Sequence, residues 1–488
     1  MSAPLEVELK LEFAPQDREK LASASLFVGA DTRSDRLVST YFDTPDLDLR
    51  TAGYSLRVRR TGGQRIQTVK ADGGAAAGLF VRPEWEREID GDRPILDADS
   101  GPLAVVVDGE ALAQIHRIFE TDVQRTCHML RFAGAEIELA IDEGRISAGD
   151  RREALCELEL ELESGSPQAL FDIVRQLNEE VPLRLGVRSK SERGYGLVAG
   201  DNPDAIKADP IRLDPDGDVR DAFAVITHGC IRQFRRNEAL LMESGGAAPL
   251  HQARVGLRRL RSAFSLFKPL LAGDERGDLL RAELRWLAGE LGEVRNLDVL
   301  IKRTEGGLKD QLTAARNRSF DHAQGELASA RSRRMMIDLA EWLALGAWRT
   351  QPVDPLLAGS HPASFAGEIL DRHRRRLKRR GRGLADLDDE HRHQARIEAK
   401  KLRYASEFFA SLYPGRKAER RYEAFLAALE DLQDQLGELN DLVTAPLVFA
   451  KLGIDAPPPP TGKHGRAKLL ERAEESYEAL MDAKQFWR

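Results

Sequence analysis

Residues 156–163 read CELELELE: Glu157, Glu159 and Glu161 alternate with Leu158, Leu160 and Leu162. In an extended chain, successive side chains point to opposite faces, so one face of this segment is leucine and the other is carboxylate. The pattern recurs. EVELKL places Glu6, Glu8 and Lys10 opposite Val7, Leu9 and Leu11. GYSLRVRR places Arg57 and Arg59 opposite Leu56 and Val58, and IQTVKA contributes Lys70. VRPEWEREI alternates Arg82, Glu84, Glu86 and Glu88, and VQRTCHMLRF contributes Arg125. AEIELAIDEG carries Glu136, Glu138 and Asp142 opposite Ile137, Leu139 and Ile141. The runs are separated by turn residues, so they predict a sheet with one apolar face and one densely charged face.

Like charges on one strand repel, and an ordinary solvated surface has no need of them at this density. Rows of carboxylates suit hard divalent cations such as Mg2+ or Mn2+. Arginine and lysine suit phosphate oxygens, arginine as a bidentate fork and lysine as a point charge. A face with both fits a metal–polyphosphate complex. If the sheet closed into a barrel, these residues would line its lumen, but periodicity alone does not show closure.

In order along the chain stand EVELK at 6–10, YFDTPD at 41–46, RVR at 57–59, TVK at 68–70, RPEWE at 82–86, Arg125, ELAID at 138–142, ELELE at 157–161 and SKSERGY at 189–195. This ordered set resembles the CYTH superfamily, the triphosphate tunnel metalloenzymes, over roughly residues 1–200. The resemblance implies an α+β domain with an eight-stranded antiparallel β tunnel that binds triphosphate with a divalent metal, Mg2+ or Mn2+. It implies metal ligands or water positioners at Glu6, Glu8, Asp142, Glu157 and Glu159. Phosphate ligands are implied at Lys10, Arg57, Arg59, Lys70, Arg125 and Lys190, with Arg82, Glu84 and Glu86 in second rank. Catalytic roles are expected of Lys10, Glu6 and Glu159. The protein's work in such a reaction is to position groups and to stabilise spreading negative charge. A carboxylate, or a lysine of lowered pKa, would orient or deprotonate the attacking water; the residues do not say which.

The chain is 488 residues long, too long for one core, so two or three domains are expected. Residues 201–218, DNPDAIKADPIRLDPDGD, lack apolar periodicity and read as a linker. Beyond them apolar residues fall at helical spacing, as in Leu279, Leu280, Leu284, Leu287 and Leu291, which predicts an all-α region over 219–488. That region repeats itself. HQARVGLRRLRSAFSLF at 251–267 shares eight of seventeen positions with HQARIEAKKLRYASEFF at 393–409, and LGEVRNLD from 291 is followed at nearly the same offset by LGELNDL from 436. Duplication of a helical unit follows, with repeats at about 219–345 and 346–488, each expected to be a four-helix bundle.

His251, Arg254, Arg258 and Arg261 share one helical face, and His393, Arg396, Lys400 and Arg403 repeat it. The two HxxRxxxRxxR-like helices and the LGE segments resemble the CHAD domain, the conserved histidine α-helical domain. That resemblance implies that these eight residues bind inorganic polyphosphate. The second copy departs from the first at Lys400, which stands where Arg258 does, and has no counterpart of Arg295. Asp298 and Asp441 are expected to be packing partners rather than metal ligands.

The chain carries a net charge of −7, but residues 1–200 hold 36 acids against 25 bases, a balance of −11, and the remainder is +4, so the first half needs cations before it accepts an anion. The overall acidity disfavours nucleic acid as a partner. No apolar run is long enough for a membrane span, and three scattered cysteines show no metal or disulfide spacing, which reads as a cytoplasmic protein. The leading expectation is a metal-dependent inorganic triphosphatase, releasing pyrophosphate and phosphate, whose helical half recruits or senses polyphosphate. The alternatives are a thiamine or nucleotide triphosphatase, including adenylate cyclase chemistry, and a non-catalytic polyphosphate-binding protein.

Overall fold

The computed structural model describes residues 5–71, 74–76, 78–97, 103, 109–200, 203–351, 361–455 and 463–488. Its contacts divide the chain into two compact units. The first comprises residues 1–204 and 327–346, the second 205–326 and 347–488.

The alternating segments of the first unit form strands, all antiparallel: β1 (Leu5–Glu12), β2 (Asp31–Asp43), β3 (Tyr54–Thr61), β4 (Gln64–Ala71), β5 (Gly74–Ala76), β6 (Leu79–Glu88), β7 (His116–Phe132), β8 (Ala135–Ala148), β9 (Arg151–Ser164) and β10 (Arg184–Leu185). Their order is β10-β1-β9-β8-β7-β2-β3-β4-β6-β5, and β6 also pairs with β1. That last pairing closes β1, β9, β8, β7, β2, β3, β4 and β6 into a ring of eight, the closure that alternation could not establish. The hairpin between β7 and β8 turns through Ala133 and Gly134, with φ of 48° and 79°. A two-residue turn with φ positive at both positions matches the twist of the flanking strands.

Register aligns the charged rows. Lys10 stands opposite Glu159, Glu12 opposite Glu157, Glu157 opposite Asp142, and Asp142 opposite Arg125. The leucines between them are fully buried on the other face: Leu9, Leu11, Leu139, Leu158 and Leu160. That face is covered in part by α1 (Gln168–Glu180), whose Leu170, Phe171, Ile173, Val174 and Leu177 are buried. The ring interior is filled toward one end by an apolar cluster of Leu37, Tyr41, Phe119, Val123, Ile146, Leu155 and Tyr195. Tyr195 comes from α2 (Lys190–Ala199), which packs on β7 and β8.

The second unit is all-helical. Its long helices are α3 (Val219–Ser244), α4 (Ala247–Leu266), α5 (Glu275–Ile301) and α6 (Gly306–Ala328). After an interruption come α8 (Pro362–Arg380), α9 (Asp389–Phe409), α10 (Arg416–Leu452) and α11 (Lys463–Asp482). α3 packs on α4, α4 on α5, α8 on α9, α9 on α10 and α10 on α11, and α4 also packs on α9.

One segment departs from the expected division. Residues 327–346, assigned by sequence to the first helical repeat, belong to the first unit. Their helix α7 (Ala330–Leu345) packs on α1 and β10. Arg175 of α1 bonds Asp338 at 2.9 Å and also Glu341, and Arg333 donates to Asn178 at 2.9 Å. Composition could not show this, because an amphipathic helix has the same pattern whichever unit it covers.

Candidate functional site

The ring encloses a cavity of about 530 Å³. It is lined from several strands by the residues that alternation placed on the charged face. The side chains of Glu6 and Arg82 lie outside the described residues; only their backbone pairing, Glu6 with Arg82, is described.

On one wall three carboxylates converge on one ammonium. Lys190 Nζ lies 2.8 Å from Asp142, 2.9 Å from Glu157 and 2.7 Å from Glu159. Lys10 Nζ is 2.5 Å from Glu159, 3.4 Å from Glu8 and 3.6 Å from Glu157. Arg125 grips Asp142 with both arms of its fork, at 2.7 and 2.6 Å, and also reaches Glu159. Arg193 donates to Glu157 at 2.9 Å from behind. Burial opposes charge on every member, but the mutual pairing wins. The Lys10 and Lys190 ammoniums are held above the usual lysine range, Lys10 chiefly by Glu159 and Lys190 chiefly by Asp142 and then Glu157. Asp142 falls to about 2 under Lys190 and Arg125, and Glu159 falls well below the carboxylate range under Lys10 and Lys190.

Local sequence explains how Lys190 gets there. Ser189 caps α2 in a reciprocal capping box with Glu192. Gly194, one turn on, lets the helix approach the barrel: a Cβ there would stand 2.1 Å from the Phe119 ring.

The opposite wall is basic. Lys70 Nζ lies 2.5 Å from Glu84, and Arg57 stands 3.5 Å from the same carboxylate. Arg59 has no ion pair among the described residues, and its buried Nε has no hydrogen-bond partner. Burial, then Arg57 and Arg125, push its guanidinium down to about 10. This arginine is placed as if an anion were to join it.

Among the described residues no three Asp, Glu, His or Cys side chains converge as a metal site. Asp142, Glu157 and Glu159, expected as metal ligands, stand within pairing distance of Lys190, and Asp142 and Glu159 also of Arg125. Oxygen donors remain on the lumen face. Glu8 pairs in register with Glu161, and Glu161 with Glu138, so carboxylates stand on three adjacent strands that line the cavity. Their all-oxygen chemistry fits Mg2+ or Mn2+.

In the helical unit the two repeated faces come together. Arg258 of α4 acts electrostatically on His251 and Arg254 of its own helix and on Arg396 and Lys400 of α9. Arg259 ties the two helices by an ion pair to Glu407, its guanidinium 5.1 Å from the centre of the Phe408 ring. His251 is pushed down to about 4, by burial and then by Arg295. The other members differ. Arg403 is engaged by Glu407 and Glu430, each at 2.9 Å; His393 bonds Asn440 at 2.9 Å; Arg261 lies toward Arg281 and Arg285. Asp298 and Asp441 make ion pairs with Arg316 and Arg303, each at 3.1 Å, as packing partners would.

Sequence reasoning passed over Arg193 and Tyr41. Arg193 lies three residues after Lys190, on the same helix face, which is the signal that would have found it. Tyr41 lines the cavity beside Arg57; its phenol is lowered because Arg57 and Arg59 outweigh the effect of burial.

Residues 4–195 match the CYTH domain and residues 225–449 the CHAD domain. Over 198 residues the chain is 33% identical to an inorganic triphosphatase of Haemophilus influenzae, a match covering 39% of this chain and 54% of that protein. The chain thus spans about half the length of this curated relative. The crystal structure of the CHAD domain from the plant Ricinus communis is similar at 29% identity, covering 57% of this chain and 93% of that one, with a TM-score of 0.45. A Hippeastrum protein described as an adenylyl cyclase with a dominant triphosphatase activity is similar at 16% identity, covering 39% of this chain and 95% of that one, with a TM-score of 0.32.

Proposed function

From a chain that carries a CYTH domain followed by a CHAD domain, we propose a metal-dependent inorganic triphosphatase whose helical unit binds inorganic polyphosphate. The observation that carries the first half is Arg59: a half-buried guanidinium beside Arg57 and Arg125, inside a closed ring, with no ion pair among the described residues. A bound triphosphate would supply the missing negative charge.

In this reading Arg57, Arg59 and Lys70 grip phosphoryl oxygens, and Arg125 closes the far side. Lys10 and Lys190 carry raised pKa values, so at neutral pH they hold their protons and stabilise developing negative charge. Neither serves as general base. Glu159 is held so far below the carboxylate range that it is a poor base too; it keeps the two ammoniums in place. The water is therefore oriented by a carboxylate of the remaining row, Glu8, Glu138 or Glu161. A divalent cation would be held on that same row together with Glu6, and would neutralise charge on the phosphoryl oxygens. Arg193 fixes Glu157, and through it the position of Lys190.

The helical unit, with its long helices in two runs of four, is read as two four-helix bundles related by duplication. Their shared basic cluster is the polyphosphate site. None of the helices described is long and apolar enough to cross a membrane, and all three cysteines are free, which supports a cytoplasmic setting.

Phosphate release from triphosphate, pyrophosphate, ATP and thiamine triphosphate, each with Mg2+, Mn2+ or excess chelator, tests the proposal. Release from triphosphate that depends on metal is expected. Undiminished release in chelator sinks the metal requirement, and preference for an organic triphosphate sinks the substrate.

A further inference from the structure

The basic cluster of the helical unit is built from two helices that occupy equivalent places in the repeat, and it is not symmetric. Arg254 and Arg258 on α4 correspond to Arg396 and Lys400 on α9. The packing of α4 on α9 brings Arg254, Arg258 and Arg396 into electrostatic range of Lys400, and Arg258 into range of Arg254 and Arg396. Arg258 and Arg396 each have a buried Nε with no hydrogen-bond partner among the described residues. Among the described residues Arg254 donates to a backbone carbonyl, that of Ala288, at 3.2 Å. Lys400 is half-buried beside them and makes no hydrogen bond or ion pair among the described residues.

The groups around Lys400 can be named element by element. Arg396 lies on its own helix, Arg254 and Arg258 face it from α4, and Asp441 faces it from α10. Asp441 is itself paired with Arg303. From α5, Arg295 acts on Arg254 and His251 and is drawn toward Asp441. On α8, His373 and Arg380 are turned to Glu398 and not to Lys400. Cations outnumber anions on every side but one. Burial, and then Arg396, Arg258 and Arg254, press the Lys400 ammonium down to about 7. Its counterpart Arg258 is an arginine, which keeps its charge throughout the accessible pH range.

Resting on the polyphosphate reading of this unit, we propose that a polyphosphate chain docking on the α4–α9 cluster takes up a proton at Lys400, so that polyanion affinity falls as pH rises through neutrality. The physical step is simple. Phosphate oxygens placed among Arg254, Arg258 and Arg396 cancel the repulsion that disfavours charge on Lys400. The bound state then holds the proton, and the free state releases it. Linkage gives the sign: a ligand that binds the protonated form better binds more weakly as the proton is lost. With a free-state midpoint near neutrality and a bound state that stays protonated, affinity drops about tenfold between pH 6 and pH 8. The lysine in the second repeat, in place of arginine, is what makes the site responsive.

The test is calorimetric titration of the full chain with inorganic polyphosphate at pH 6, 7 and 8, in two buffers of different ionisation heat, for wild type and Lys400→Arg. Wild type is expected to show proton uptake at pH 7–8 and the tenfold loss in excess of any change in the variant. Lys400→Arg is expected to bind at pH 8 about as wild type does at pH 6, without that uptake. Titration of the polyphosphate ends is common to both proteins and cancels in the comparison. Lys400→Met gives a second reading: it should bind more weakly than wild type at pH 6, without the proton uptake and without the excess loss toward pH 8. An equal pH slope and equal proton uptake in wild type and Lys400→Arg overturn the linkage while leaving the site intact. Absence of wild-type binding even at pH 6 overturns the polyphosphate reading itself, and the linkage with it.

Discussion

Asp142→Asn isolates the ionic knot of the tunnel. The carboxylate is fully buried, takes both arms of Arg125 and lies 2.8 Å from Lys190. Burial alone would raise its pKa, yet Lys190 and Arg125 carry it from 3.8 to about 2. A shift of this size corresponds to about 2 kcal/mol of folding stability at neutral pH. Removing one partner of a buried pair also strands the other, which raises the cost toward about 3–5 kcal/mol. Glu157 and Glu159 still face Lys190, so the lower part of that range, about 2–4 kcal/mol, is expected. The pH dependence follows from the sign of the shift. A carboxylate lowered in the folded state stabilises above its unfolded pKa and loses that contribution as pH falls through the folded value. The gap between wild type and variant should therefore be flat from pH 8 to pH 5 and shrink from pH 4 toward pH 2. Calorimetry and urea unfolding of the full chain, following the β-rich unit at several pH values, measure it. A gap under about 1 kcal/mol at pH 7, or one that widens on acidification, refutes the reasoning.

Arg59→Ala should behave in the opposite way. It should leave stability unchanged or higher, because this guanidinium is held against its neighbours without a carboxylate, and it should raise KM for triphosphate by about ten- to a hundredfold, the worth of a charge-assisted phosphate contact. Steady-state kinetics with a melting curve would check both, and wild-type KM would place Arg59 outside the substrate contacts. A fragment of residues 1–204 lacks α7 and so bares the face of α1 on which it packs; it should melt lower or aggregate, whereas the same fragment joined by a flexible linker to residues 327–346 should recover. Equal melting of the two fragments would show that α7 contributes little to the fold of the first unit.

The parts of the fold carried by period were legible. Alternation at CELELELE and EVELKL placed the charged rows on one face, because in a strand a side chain's face depends only on parity. Closure of the ring was not, since the β1–β6 pairing joins residues about seventy positions apart and uses backbone groups that every residue has. The site was legible as a set of residues more than as a set of roles. Lys10, Lys190 and Arg125 were expected to meet phosphate, and Asp142, Glu157 and Glu159 to meet metal; in the structure these cations and acids stand within pairing distance of one another, which residue type and spacing did not show. The assignment of α7 to the first unit failed to show for a related reason: its partners, Arg175 and Asn178, lie some 150 residues away.

The three informative lysines show why distance decides chemistry. Lys10, Lys190 and Lys400 are all largely withdrawn from water, and burial pushes each toward the neutral amine. In the ring the neighbours are carboxylates, Glu159, Glu8 and Glu157 for Lys10 and Asp142, Glu157 and Glu159 for Lys190, whose combined attraction more than reverses burial and holds both ammoniums above the usual lysine range. In the helical unit the neighbours are arginines, which add to burial, and Lys400 is left poised near neutrality. The same side chain thus serves as a fixed charge in one unit and a variable one in the other. A site that stabilises charge appearing during bond cleavage needs its cations fixed before the reaction begins. On the proposed reading, the site that captures a polyanion draws one of its charges from the ligand's own arrival, so retention at the α4–α9 cluster is expected to depend on pH.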